Sequence, residues 1–223
     1  MTRRLSVLAA LTIAALAGVY IYSQNQAPAD PFGAAFAQDA ADIDTSMIKE
    51  MTLGNPDSPV TVVEYASFTC PHCAAFHNDS YKQLKTDFID TGKINFVYRE
   101  VYFDRPGLWA GIVARCGENA ENRYFGIAEM LYAQQREWAD PNNSPGEIVE
   151  RLGKIGKTAG LTDADLEQCF QDAERAQALY ALFQKNTKAD GINSTPSFVI
   201  NGEKHTNMDY EEMKALLDEA VGG

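Results

Sequence analysis

Four consecutive residues carry the sharpest chemical signal in the sequence: Cys70-Pro71-His72-Cys73. Two thiols at this spacing can close a disulfide and open it again by thiolate attack. Proline suits the first position of a helix, where its missing N–H costs nothing, so Pro71 places Cys70 at a helix N-terminus. Unpaired N–H groups and the positive end of the helix dipole stabilise a thiolate there. His72 adds a positive charge nearby. Both effects lower the Cys70 pKa from the usual value of about 8.5. Cys73, one turn further on, is the more shielded thiol and the one that resolves. A stabilised thiolate favours the dithiol over the disulfide, so the disulfide form is a strong oxidant. The residues alone leave two other readings open, an inert disulfide and a zinc site. Zinc normally takes four ligands, and this pair supplies two. His77 lies four residues past Cys73, whereas Cys116 and Cys169 form no second close pair.

The elements on either side must position these thiols. The turn-rich stretch Gly54-Asn55-Pro56-Asp57-Ser58-Pro59 precedes Val60-Thr61-Val62-Val63-Glu64-Tyr65, a run that reads as a buried strand. After the cysteine pair a helical pattern puts Phe76, Leu84 and Phe88 on one face with Tyr81 beside it, until Thr91-Gly92 stops it. Ile94 to Tyr98 is a second strand, and a right-handed crossover makes the two strands parallel. From Pro106 to about Asn186 there is no strand pattern. Helical patterns run from Trp109 to Cys116, Glu121 to Trp138, Ile148 to Ala159, Leu166 to Phe170 and Leu179 to Phe183. Thr162 and Asp165 have the spacing of a capping pair. Strand character returns at Ser197-Phe198-Val199-Ile200. Asn201-Gly202 predicts a two-residue hairpin turn, with Glu203 to His205 as the return strand. A last helix carries Tyr210, Met213, Leu216, Leu217 and Ala220 on one face. The plan is an α/β domain, residues 47–104 and 188–223, interrupted by a helical insertion at 105–187.

Composition narrows the setting. The chain has 223 residues, 45% apolar and 22% charged, with a net charge of −12. This is a soluble globular profile, and the acidic balance argues against a nucleic-acid binder. Arg3 and Arg4 precede an apolar run of 18 residues, Leu5 to Tyr22. That is an export signal, either cleaved or kept as a membrane anchor. Ala27-Pro28-Ala29 and Ala35-Phe36-Ala37 offer small-residue cleavage sites. Either way the remainder is expected outside the cytoplasm. Residues 23–46 read as a flexible linker, reaching about 25–30 Å if the anchor is kept.

Further residues invite a functional reading. Glu64 is an acid in an otherwise apolar strand. It lies either on a solvent-facing edge or buried beneath the cysteine pair as a proton acceptor, its pKa raised by desolvation. Thr195-Pro196 precedes a strand and reads first as a turn. Cys116 and Cys169 both fall in the helical block, where an oxidising compartment favours a disulfide between two helices over two buried free thiols. His77 and His205 read as ordinary surface or packing residues. Trp109 and Trp138 read as core of the helical block.

Taken together, the segment VTVVEYASFTCPHC, the Thr-Pro before the FVI strand and the helical block between them resemble the DsbA-like thiol:disulfide oxidoreductases of the thioredoxin superfamily. The resemblance covers roughly residues 45–221. It implies a thioredoxin-like fold with an inserted helical domain and a protein disulfide oxidase in the periplasm. Cys70 corresponds to the nucleophile, Cys73 to the resolving cysteine and His72 to the residue that stabilises the thiolate. Pro196 matches the family's cis-proline, which aligns the substrate backbone. Glu64 matches its buried acid, and Cys116 with Cys169 matches a structural bridge found in some members. Beyond the Cys70–Cys73 disulfide the resemblance implies no cofactor and no metal. The implied partners are unfolded exported proteins and a DsbB-like membrane quinone reductase. Thr195 stands where the best-known DsbA type has valine, and where both disulfide isomerases and other DsbA-like branches have threonine. A reductase or isomerase kept reduced by a membrane donor is therefore the alternative, and a non-catalytic, chaperone-like binder a further one. The isomerases carry an N-terminal dimerisation domain, for which the linker has no room.

Overall fold

The computed structural model describes residues 43–222. The apolar run 5–22, its cleavage sites and nearly all of the linker lie outside the described residues. Five strands form one mixed sheet: β1 (Met51–Gly54), β2 (Thr61–Ala66), β3 (Asn95–Glu100), β4 (Ser197–Ile200) and β5 (Glu203–Thr206). Their order is β1-β3-β2-β4-β5. β2 and β3 are parallel, with Val62 opposite Phe96 and Glu64 opposite Tyr98. β4 runs antiparallel to β2 on its other side, and β1 antiparallel to β3 at the edge. Asn201 (φ 48°) and Gly202 (φ 91°) take the left-handed conformations that the β4–β5 hairpin turn requires.

The strand β1 was not anticipated. Its four residues contain no β-branched run, and only pairing with the edge of β3 makes them a strand.

The helix after the cysteines is two helices. α1 (Pro71–Asn78) ends at Asp79, whose φ of −128° and ψ of −85° are not helical. α2 (Ser80–Leu84) follows and runs into a π-helical turn at Lys85–Ile89. The break falls in the polar run Asn78-Asp79-Ser80, residue types that weaken a helix interior, within a continuous apolar periodicity.

Between β3 and β4 lie α3 (Arg105–Ala114), α4 (Tyr124–Ala133), α5 (Gln135–Trp138), α6 (Pro145–Thr158), α7 (Asp163–Gln171) and α8 (Ala173–Ala189). The single helix expected over Glu121 to Trp138 is a 3-10 turn at Ala120–Asn122 followed by α4 and α5. Thr162 and Asp165 form a capping box at the start of α7, and Ser144 and Glu147 form another at α6. The chain closes with α9 (Tyr210–Gly222).

The sheet is covered on both faces. Val62, Phe96, Tyr98, Phe198 and Ile200 belong to one core with residues of α1, α2, α9 and the helical insertion. Val63, Tyr65, Val97 and Val199 pack on the other side, with Phe183 of α8 and Ile192 against them. Burial on both faces is why β2 is a nearly unbroken apolar run rather than an alternating one. Full burial of a side chain such as Phe198 stabilises by about 1.5–3 kcal/mol. This is a thioredoxin-like fold with an inserted helical domain.

Candidate active site

β2 delivers the loop Ser67-Phe68-Thr69 to Cys70, the N-cap residue of α1, with Pro71 in the helix's first turn. No side chain caps this terminus. Its free N–H groups therefore face the Cys70 sulfur. Cys70 is partly exposed, Cys73 fully buried, and both are free thiols, so the pair is in its dithiol form. The Cys73 thiol donates a hydrogen bond to Cys70 and is the main reason that the Cys70 pKa falls to about 5. Burial opposes this, while the Thr195 side chain and the N–H groups of Cys73 and His72 assist. Cys73 is pushed the other way, far up, by burial, by its bond to Cys70 and by the charge of Glu64. One thiol ionises easily and the other stays protonated. His72 contributes through its backbone N–H, whereas its exposed imidazole was expected to act through charge.

The Thr195–Pro196 peptide bond is cis. β4 begins at the next residue, with Ser197 opposite Tyr65 of β2, so the bend sits at the sheet end that carries Cys70. The carbonyl oxygen of Thr195 accepts from Cys70 Sγ at 3.6 Å.

Glu64 is completely buried, which excludes the solvent-facing edge. Both of its carboxylate oxygens bond His77 Nε2, at 2.9 and 3.0 Å. His77 is not a surface residue. It is 5% exposed, and its ring stacks on Tyr132 at 4.2 Å between centroids. Tyr132 in turn shares a hydrogen bond with Tyr98. The Glu64 charge raises the pKa of Tyr81, Tyr98 and Tyr132, as does burial, the larger effect, so these phenols stay neutral around it. The spacing held a signal for this contact: Cys73 and His77 are four apart on one helix and share its inward face.

Two further side chains reach the Cys70 loop, one from the inserted domain and one from the residue just before it. Gln135, the first residue of α5, donates from Nε2 to the carbonyls of Phe68 (2.7 Å) and Cys70 (3.0 Å). Asp104 accepts from Thr69 Oγ1 at 2.9 Å while it caps α3 by accepting from the Gly107 N–H. Neither residue was singled out from sequence, because each lies far along the chain from its partner. A cleft of about 780 Å³ opens beside the loop, lined by Pro71, Ala74, Asn78, Tyr132, Arg136 and Asp140 among others.

Cys116 and Cys169 are joined by a disulfide with a Cα–Cα distance of 5.8 Å, which ties the end of α3 to α7. Trp109 and Trp138 are buried in the core, and His205 lies on β5. Among the described residues no cluster of three or more Cys, His, Asp and Glu side chains could hold a metal ion, and His77 Nε2 is bonded to Glu64.

Residues 46–219 match the thioredoxin family model. The chain belongs to the thioredoxin family. Among its relatives are a putative protein-disulfide oxidoreductase of Rickettsia bellii, 36% identical over 172 residues, and disulfide bond formation protein D of Bacillus subtilis, 27% identical over 192 residues. The first alignment covers 77% of this chain and 64% of the relative, so this thioredoxin-family chain matches less than two thirds of that protein's length. The second covers 83% of each. Among solved structures, alpha-DsbA1 of Wolbachia pipientis is similar with a TM-score of 0.72 and 26% identity, over 78% of this chain and 92% of the other. The DsbA-like resemblance of the CPHC segment and the Thr-Pro loop thus extends to the whole fold.

Proposed function

We propose that this thioredoxin-family protein is an exported thiol:disulfide oxidoreductase that donates its Cys70–Cys73 disulfide to folding proteins. The observation that carries the reading is the asymmetry of the pair: an accessible thiol with a pKa near 5 beside a buried thiol whose pKa is raised. In the oxidised form, a substrate thiolate attacks Cys70 Sγ. The Cys70–Cys73 bond breaks, a mixed disulfide forms, and Cys73 departs and takes a proton. The substrate's second thiolate then attacks its own sulfur in the mixed disulfide and releases Cys70 as a stable thiolate. The substrate loses two electrons and two protons. One proton ends on Cys73 and the other in solvent.

In this reading Thr195 and Pro196 hold the substrate backbone against Cys70. Glu64, bonded to His77, is the buried acid that exchanges the Cys73 proton, and Pro71 and His72 shape the helix start. Reoxidation passes two electrons and two protons from the dithiol to quinone through a DsbB-like membrane partner. The Arg3-Arg4 segment and its apolar run support placement in the periplasm, either free or tethered to the membrane. Thr195, which both isomerases and some DsbA-like branches carry, leaves room for a second reading, an isomerase or reductase working from the dithiol.

Oxidative refolding of reduced, unfolded ribonuclease A tests the proposal. The oxidised protein is expected to introduce disulfides stoichiometrically, and a Cys70→Ser, Cys73→Ser double variant to introduce none. Equal assistance from both proteins would mean that the chain binds unfolded proteins without exchanging disulfides.

A further inference from the structure

Gln135 is 6% exposed and sits 65 positions along the chain from Cys70, in a different part of the fold. Both protons of its side-chain amide are engaged, one by the Phe68 carbonyl and one by the Cys70 carbonyl. The Cys70 carbonyl also accepts the first helical bond of α1, from Ala74 N at 3.1 Å. The peptide unit leaving Cys70 is thus held from the helix on one side and from the inserted domain on the other. The direction of the N–H groups of His72 and Cys73 toward the sulfur depends on where that unit lies. Groups that stabilise a developing charge act in proportion to how rigidly they are aimed.

We propose that Gln135 is a positioning residue for the reactive thiol, through which the inserted helical domain fixes how Cys70 sits on the N-terminus of α1. The inference rests on the reading of Cys70 and Cys73 as the reactive pair and adds to it a specific contact by which the insertion controls that pair. Without the amide, the Phe68 carbonyl loses its Gln135 donor and the Cys70 carbonyl is held from the helix side alone, by Ala74 N. The loop then relaxes to recover other partners, and the N–H groups aimed at the sulfur lose alignment.

The test uses the purified full chain in its dithiol form, with the Cys70 thiolate followed by its ultraviolet absorbance as pH is varied. Gln135→Met keeps the length and bulk of the side chain and removes both donors. Its midpoint is expected to rise by about one pH unit, a tenfold change in the ionisation constant. Gln135→Asn keeps an amide but is one methylene too short, and is expected to shift the midpoint in the same direction. It provides the reading if the Met variant does not fold. Leu152→Ala, in the core of the insertion, controls for simple destabilisation. It is expected to lower the denaturant concentration at which the protein unfolds while leaving the ionisation midpoint in place. An unchanged midpoint in a folded Gln135 variant, or an equal shift in Leu152→Ala, overturns the inference. A wild-type midpoint near 8.5 instead overturns the proposed function, whatever the variants do.

Discussion

The molecule holds two cysteine pairs with opposite surroundings. Cys70 and Cys73 flank the first turn of a helix, with backbone N–H groups and a neighbouring thiol directed at one partly exposed sulfur. Cys116 and Cys169 are 53 positions apart, lie at the junction of α3 and α7, and are already joined. Nothing in the element sulfur separates the two pairs. The difference lies in what is offered to each when it is reduced. The first is given a stabilised thiolate, which under the proposed function favours reduction and makes its disulfide a ready donor. The second gains from closing a long loop, so its bond persists.

The largest expected effect is on exchange itself. Cys70→Ala should reduce disulfide transfer to the uncatalysed background. Cys73→Ala has no disulfide to donate and should also lose transfer. Offered substrates that already hold disulfides, its Cys70 thiolate should attack them and remain in mixed disulfides visible by mass, because no Cys73 thiol is there to displace the substrate. Its Cys70 pKa should rise, since the Cys73 hydrogen bond is the main cause of the depression. Exchange at full rate without Cys70 would erase the distinction between the pairs.

Removing the other bridge tests the same contrast from the opposite side. The variant Cys116→Ala, Cys169→Ala should lose about 4 kcal/mol of stability in denaturant unfolding, the loop-closure value for a bridge of this span. Its Cys70 ionisation should not move. A shifted midpoint would show that the structural pair also tunes the reactive one.

The pH dependence sharpens the contrast further. Cys70 in the folded dithiol has a pKa near 5, below its unfolded value of about 8.5. A depressed acid stabilises the folded state fully above the unfolded pKa and loses that contribution as pH falls through the folded one. The dithiol form should therefore gain stability relative to the disulfide form as pH rises from about 5 to about 8.5. Thermal unfolding of both forms across that window measures it. A parallel pH response of the two forms would contradict the assigned thiolate.

The smallest effect expected is at Glu64. Glu64→Leu leaves the buried His77 without its carboxylate, a loss of about 1–3 kcal/mol. Cys73 should then ionise more easily, because the Glu64 charge helps to raise its pKa. Thiol alkylation of Cys73 at alkaline pH reads this directly.

Features that depend on neighbours in sequence are legible in the sequence alone. The strand before Cys70, Pro71 in the first turn, the Thr162–Asp165 cap and the Asn201-Gly202 turn each follow from a few adjacent residues. Glu64 stood out because an acid interrupts an apolar strand. The features that escaped depend on distant partners. β1 exists through its pairing with β3, and the Glu64–His77 contact joins a strand to the helix after it. Gln135 reaches the Cys70 loop from the insertion and Asp104 from the residue just before it. Asp104 ahead of Pro106 reads locally as a helix cap, and nothing local in either points to the loop. His72 was identified for its imidazole, and the contribution of its backbone N–H is a further one that the residue type did not suggest.

The central claim is that the surroundings of Cys70 make this pair a disulfide donor. Its most direct test is the reduction potential of Cys70–Cys73, measured on the purified protein in glutathione buffers by alkylation and peptide mapping that excludes Cys116 and Cys169. The account predicts a value near that of DsbA, about −120 mV. A value near that of thioredoxin, about −270 mV, would make the chain a reductant and contradict it.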